Sequence, residues 1–155
     1  MPFKAKSARF SESIRLAGPI ETVFPLFSPL GERSSVPDWD PELLHPPAVA
    51  WEAGLIFRTG EEMGDAVWIV TRLDRTAHDV EYHRVEPDRY VARVRVQCSA
   101  VAPSVTETTT TYEFVGLSES GNRQIEAMTP DAYAHKMASW TRWINEHLSR
   151  LPGER

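Results

Sequence analysis

Along this chain the spacing of apolar residues changes period twice, and the changes divide it into three parts. Over residues 8–18 apolar and polar positions alternate. Phe10, Ile14 and Leu16 share one face with Glu12, while Arg9, Ser11, Ser13 and Arg15 share the other. That is the pattern of a half-buried strand, and Gly18-Pro19 ends it. Proline then suits the first turn of a helix, where its missing N–H would have had no partner. Val23, Phe24, Leu26 and Phe27 supply the apolar side of that helix, Pro25 limits or bends it, and Pro29 and Gly31 close it. A second short helix fits residues 31–36, before the loop VPDWDPE.

From about residue 46 to 118 the period is two. LIFRTG, AVWIVTRLD, HDVEYHRVE, YVARVRVQCSA and VTETTTTYEFVGL read as successive strands, separated by turns containing Gly, Asp, Glu or Pro. The alternation is cleanest in YVARVRVQC, where Tyr90, Ala92, Val94, Val96 and Cys98 point one way and Val91, Arg93, Arg95 and Gln97 the other. One covered and one wet face marks an antiparallel sheet. No helix long enough for a crossover interrupts the run, so a parallel arrangement is excluded.

The last segment, MTPDAYAHKMASWTRWINEHLSRL, returns to the helical period. Thr129 is an N-cap residue, Pro130 fits the first helical position and Asp131 faces the positive end of the helix dipole. Tyr133, Met137, Trp140, Ile144, Leu148 and Leu151 form an apolar stripe of about five turns. The class is therefore α+β: a strand, two short helices, a run of about six antiparallel strands and one long C-terminal helix. One helix cannot cover a sheet of that size, so the sheet must curl round it, leaving interior space.

Composition narrows the class of partner. A chain of 155 residues with 41% hydrophobic and 25% charged residues is one globular domain, with its core over about residues 8–150. The net charge of −5 argues against a nucleic-acid surface. No run approaches the roughly 20 apolar residues that span a bilayer, so membrane insertion is not expected. Lone Cys98 and an N-terminal MPFKAKSARF without a following apolar core predict a cytoplasmic protein.

The stretches SIRLAGPIETVFPLFSPLGER, VPDWDPE, VWIVTRLD, VEYHRVEP and TTTTYEFVGLSESG, with the tryptophan-bearing last helix, resemble the SRPBCC superfamily. That group includes START-like lipid-transfer domains, polyketide cyclases and birch-pollen-allergen-like proteins. The resemblance covers about residues 8–150 and rests on element order and aromatic placement. It implies a helix-grip fold, a seven-stranded antiparallel sheet wrapped round the last helix over a deep apolar cavity. It also implies a small apolar or amphipathic ligand, and no cofactor is expected.

Candidate residues follow from the faces they occupy. Trp39, between Asp38 and Asp40 in a proline-rich loop, is either a lid over the cavity mouth or a plug joining loop to core. The two aspartates suit turn formation, and with His45 they match no metal-loop spacing. Glu12, inward beside a last strand presenting Thr106, Thr108, Thr110, Tyr112 and Phe114, either completes a polar patch in the cavity or reaches water at the sheet edge. If Tyr82 faces inward so does Arg84, which either grips a ligand carboxylate or carries its charge to the rim. His83 would then face solvent, and a role as base needs the opposite register.

Trp68 reads as cavity lining or core, with an indole N–H that needs a partner if buried. Tyr133, Met137, Trp140 and Ile144 are core residues whose inner surface also lines the cavity. His135 and His147 read as surface residues, and inward Cys98 reads as a small hydrophobe. No nucleophile elbow, phosphate loop, dinucleotide fingerprint or HExxH motif is present. The function expected is binding of a small apolar or amphipathic molecule by a monomer or homodimer. One alternative is a polyketide-cyclase-like reaction using Glu12 or His83. The other is a protein-interaction module resembling Hsp90-activator domains.

Overall fold

A computed structural model describes residues 2–47, 50–60 and 65–152. Strand β1 (Ser7–Leu16) leads into α1 (Ile20–Val23), a 3-10 turn (Phe24–Phe27) and α2 (Pro29–Arg33). Strands β2 (Glu42–His45), β3 (Ile56–Thr59), β4 (Ala66–Asp74), β5 (Asp79–Glu86), β6 (Tyr90–Ala102) and β7 (Val105–Gly116) follow. Helices α3 (Glu119–Glu126) and α4 (Pro130–Arg150) complete the chain. The seven strands form one antiparallel sheet in the order β1-β7-β6-β5-β4-β3-β2, so the first strand closes against the last.

The sheet keeps the alternation read from the sequence. Tyr90, Ala92, Val94, Val96 and Cys98 are all buried. On the opposite face Arg93 pairs with Glu113, and Arg95 and Arg72 both pair with the buried carboxylate of Asp79. The concave face receives α4, which buries Tyr133, Met137, Trp140, Ile144 and Leu148. Its start is fixed by the Thr129 hydroxyl, which accepts from the Ala132 N–H at 3.1 Å. Further along, the Asn145 side-chain oxygen accepts from the Ala17 N–H at 2.8 Å and ties α4 to the end of β1.

Four local expectations are corrected. Pro29 opens α2 rather than closing the preceding helix, because the Ser28 hydroxyl accepts from the Gly31 N–H and makes Ser28 the N-cap; the helix spans Pro29–Arg33, not 31–36. Part of the VPDWDPE loop region continues into an edge strand, β2, paired to β3. Helix α3 stands where the sequence showed only the end of a strand; Ser118 caps it by accepting from the Gly121 N–H. Leu151 lies past the end of α4 and is exposed, so the buried stripe ends at Leu148.

No helix among the described residues is long and apolar enough to cross a membrane. No cluster of His, Cys, Asp and Glu side chains among them is arranged to hold a metal ion.

Candidate functional site: an aromatic cavity under the C-terminal helix

Between the concave sheet and α4 lies a cavity of about 350 Å³. Its size is in the range of small-molecule sites. The wall is built from Phe27, Pro29, Glu32 and Trp39 of the short helices and their loop, Ile14 of β1, alternate inward residues of β3 to β7, Gln124 of α3 with Met128 just after it, and Met137 and Trp140 of α4. Lys136 also lines it, yet belongs to the exposed residues, so the cavity opens beside α4.

One end is an aromatic wall. Phe57 and Trp68 stack with ring centroids 5.6 Å apart, and Trp39 meets the Trp68 ring edge-on at 5.6 Å. Trp39 is 5% exposed and donates its indole N–H to the Pro29 carbonyl at 2.6 Å. It therefore plugs the loop on to the core and forms part of the wall at once. The Trp68 indole, which needs a partner when buried, finds the Thr59 hydroxyl at 3.1 Å.

Most polar groups of the wall are already engaged. Tyr82 donates to the Phe27 carbonyl at 2.8 Å and accepts from the Trp51 indole at 2.9 Å. Arg84 is buried over the faces of Trp68 and Tyr90, where its guanidinium donates to Glu86 at 2.8 Å and to the Tyr90 hydroxyl. Burial pushes the Glu86 carboxyl up, but bonds from Tyr90 and Arg84 outweigh it and hold the carboxyl below its ordinary value. Burial raises the Tyr90 phenol to about 12. Tyr133 and Thr110 bond each other at 2.8 Å across the junction of α4 and β7.

Three groups are not engaged. Glu32, Tyr112 and Lys136 make no side-chain hydrogen bond or ion pair to any described residue. Among the described residues, Ser35 Oγ is the one buried side-chain polar atom without a partner. The oxygens of Glu32 and Tyr112 are therefore not sealed in protein; they open on to the cavity. Burial raises the Glu32 carboxyl well above its ordinary value, a shift only partly opposed by the charge of Lys136. Burial likewise raises the Tyr112 phenol. Lys136, 5.0 Å from the centroid of the Tyr112 ring, is lowered by burial and by the charge of Arg84, against the pull of Glu32.

Of the residues singled out in the sequence, Trp39, Trp68, Tyr82, Arg84, Thr110, Tyr112, Met137 and Trp140 line the cavity. Thr108 and Ile144 do not, although both are fully buried. Thr108 turns its hydroxyl to the Cys98 sulfur at 3.3 Å, and Ile144 packs into the core below. Burial raises the Cys98 thiol to about 11. Glu12 shares the inward face of β1 but stands outside the lining, half-buried opposite Thr110. His83 lies on the outer face, its ring nitrogen 3.1 Å from the Thr71 hydroxyl.

Sequence reasoning missed Glu32 and Lys136. The signal for Lys136 was present: it lies three residues after Tyr133 and four before Trp140, at the edge of the apolar stripe. For Glu32 there was no such signal, since its helix has barely more than one turn.

No protein-family model and no curated protein matches the sequence. The fold, by contrast, has many counterparts among solved structures. Norcoclaurine synthase from Thalictrum flavum superposes with a TM-score of 0.68 at 10% identity, over 95% of this chain and 89% of that one. A further structure of that enzyme is a complex with dopamine and hydroxybenzaldehyde. Ginseng major latex-like protein 151 from Panax ginseng matches with a TM-score of 0.68 at 14% identity, over 94% and 99% of the two chains. A hypothetical protein from Helicobacter pylori gives 0.72 at 8% identity, over 90% and 87%. This is the helix-grip fold, a curved antiparallel sheet round a long C-terminal helix.

Proposed function

We propose that the protein binds one small, largely apolar or aromatic molecule in this cavity, with the molecule's polar end against Glu32, Tyr112 and Lys136. One observation carries the reading: the wall satisfies its other polar groups internally and leaves these three facing the same space. Leaving buried polar groups unpaired is costly unless water or a ligand completes them. Apolar burial supplies the affinity at roughly 25 cal/mol per Å² of surface removed from water, and the three polar groups supply orientation. A cavity of this volume supports a binding site over a vestigial core that serves only as an interaction module. Cytoplasmic residence belongs to the same reading, supported by the free, buried thiol of Cys98.

The test uses 2-naphthalenemethanol as probe and the fluorescence of the cavity tryptophans as readout. Saturable quenching with one-to-one stoichiometry is expected, together with its loss in Val96→Phe, which fills the cavity from β6. A folded protein with no saturable response, or one equally strong in Val96→Phe, overturns the proposal.

A further inference from the structure

The chain contains three lysines and, its five histidines apart, uses arginine for its other basic side chains. Two of the three, Lys4 and Lys6, lie together near the N-terminus, and the third is Lys136 in the cavity wall. The distinction is chemical. A guanidinium does not give up its proton near neutral pH, whereas an amine does so when its surroundings disfavour the charge, and the free amine is a nucleophile. Arginine at 136 would have supplied the same charge over the Tyr112 ring and a similar aliphatic stem.

The surroundings of Lys136 suit an amine that reacts. No carboxylate pairs with it directly among the described residues. The titratable and charged groups that face it are Glu32 from α2, Arg84 from β5 and Tyr112 from β7. Arg84, itself bound to Glu86, adds positive charge to the cavity and so favours the neutral amine. Glu32 stands in the same space as a carboxyl that burial keeps protonated beyond its ordinary range. An amine whose charge is disfavoured and an acid of this kind are the two groups that imine formation requires.

We propose that Lys136 is the nucleophile of a Schiff-base site, and that the molecule taken by the cavity carries an aldehyde or ketone. The inference rests on the cavity being a ligand site and names the ligand's reactive group. The Nζ lone pair adds to the carbonyl carbon, the carbonyl electron pair moves to oxygen, and one amine proton passes to that oxygen to give a carbinolamine. Glu32 then gives its proton to the hydroxyl. The C–O bond breaks with release of water as the nitrogen lone pair closes the C=N bond, leaving an iminium on Lys136 and a carboxylate at Glu32. That carboxylate is placed to take a proton from the carbon next to the iminium, so the pair can exchange hydrogen α to a carbonyl. Tyr112 donates its unengaged hydroxyl to the carbonyl oxygen during the addition.

The whole chain is incubated at pH 7 with 2-naphthaldehyde and cyanoborohydride, which reduces an imine to a stable secondary amine. The product gains the mass of the aldehyde less one oxygen atom and is located by peptide mapping. Labelling at Lys136 at least tenfold faster than at Lys4 and Lys6 is expected, with Glu32→Gln slowing it tenfold or more. Lys136→Arg removes the fast adduct and leaves the slow labelling of Lys4 and Lys6 unchanged. If the alcohol binds but Lys136 labels no faster than Lys4 and Lys6, the Schiff-base assignment is wrong and the binding site stands. If the alcohol does not bind to folded protein, both fall together.

Discussion

The Nζ of Lys136 lies 5.0 Å from the centroid of the Tyr112 ring, a long side chain of α4 reaching over the inward face of β7. The contact joins the two elements on either side of the cavity and brings a charge from the exposed side of the helix into an aromatic interior. Around it the molecule separates polar groups that build the wall from polar groups that face the occupant.

Tyr82 and Tyr112 are inward tyrosines on β5 and β7 with opposite standing. The Tyr82 hydroxyl holds the Phe27 carbonyl and the Trp51 indole, so Tyr82→Phe strands both and lowers stability by about 1–3 kcal/mol. Tyr112→Phe removes a hydroxyl with no partner among the described residues and changes stability by less than about 0.5 kcal/mol. Urea denaturation of the two variants distinguishes them. Equal losses would mean that the Tyr112 hydroxyl has a structural partner after all.

Trp68 stacks on Phe57, meets Trp39 and Tyr82 edge-on and lies under Arg84. Trp68→Ala removes all four contacts at once and lowers stability by about 3–5 kcal/mol. Calorimetry or urea titration measures this. A loss below about 1 kcal/mol would show that the aromatic wall contributes little to folding.

Glu32 sets a pH dependence. Its folded carboxyl titrates above the ordinary value of 4.5, so the unfolded state ionises first as pH rises. The contribution of Glu32 is fully present below 4.5 and is lost as pH climbs from there through the folded value. Lys136, Tyr82 and Tyr112 face the group, and the charge of Lys136 reduces the shift without reversing it. Glu32→Gln lacks this titration, so its urea midpoint gains on the wild type between pH 4 and pH 8. A constant difference across that range would place Glu32 in water.

Gly31 is where the short helices press together. A Cβ there would stand 2.1 Å from the Pro25 carbonyl oxygen and 2.9 Å from the Leu26 Cα, both backbone atoms. Gly31→Ala therefore forces α2 away from the 3-10 turn, at a cost of about 1–3 kcal/mol. Because Pro29, Glu32 and Trp39 form this side of the cavity, the variant also weakens binding of 2-naphthalenemethanol. Stability and affinity unchanged together would mean that the two segments part without consequence.

The period-two and period-3.6 patterns determined the main elements and which residues of each face inward. They did so because one face of every strand, and one stripe of the last helix, must leave water. The alternation in β6 and the stripe from Tyr133 to Leu148 were legible for that reason, as was the cap at Thr129. Helix α3 and strand β2 were less legible: each is short, and each is held by partners distant in sequence. Asn122 of α3 donates to the Lys4 carbonyl and accepts from the Lys6 N–H, and β2 is held by its pairing with β3.

The cavity was foreseeable as a consequence of covering a broad sheet with one helix, but its chemistry was not. Whether an inward polar side chain is spent on the wall or left to face the space depends on what lies opposite it. Thr108 and Thr110 occupy equivalent alternating positions on one strand, yet Thr108 faces Cys98 in the core and Thr110 faces Tyr133 at the cavity. Sequence alone determined that this chain folds round an interior space. Only the tertiary structure decided that Glu32, Tyr112 and Lys136, more than a hundred residues apart at the extremes, are the groups left to meet what enters it.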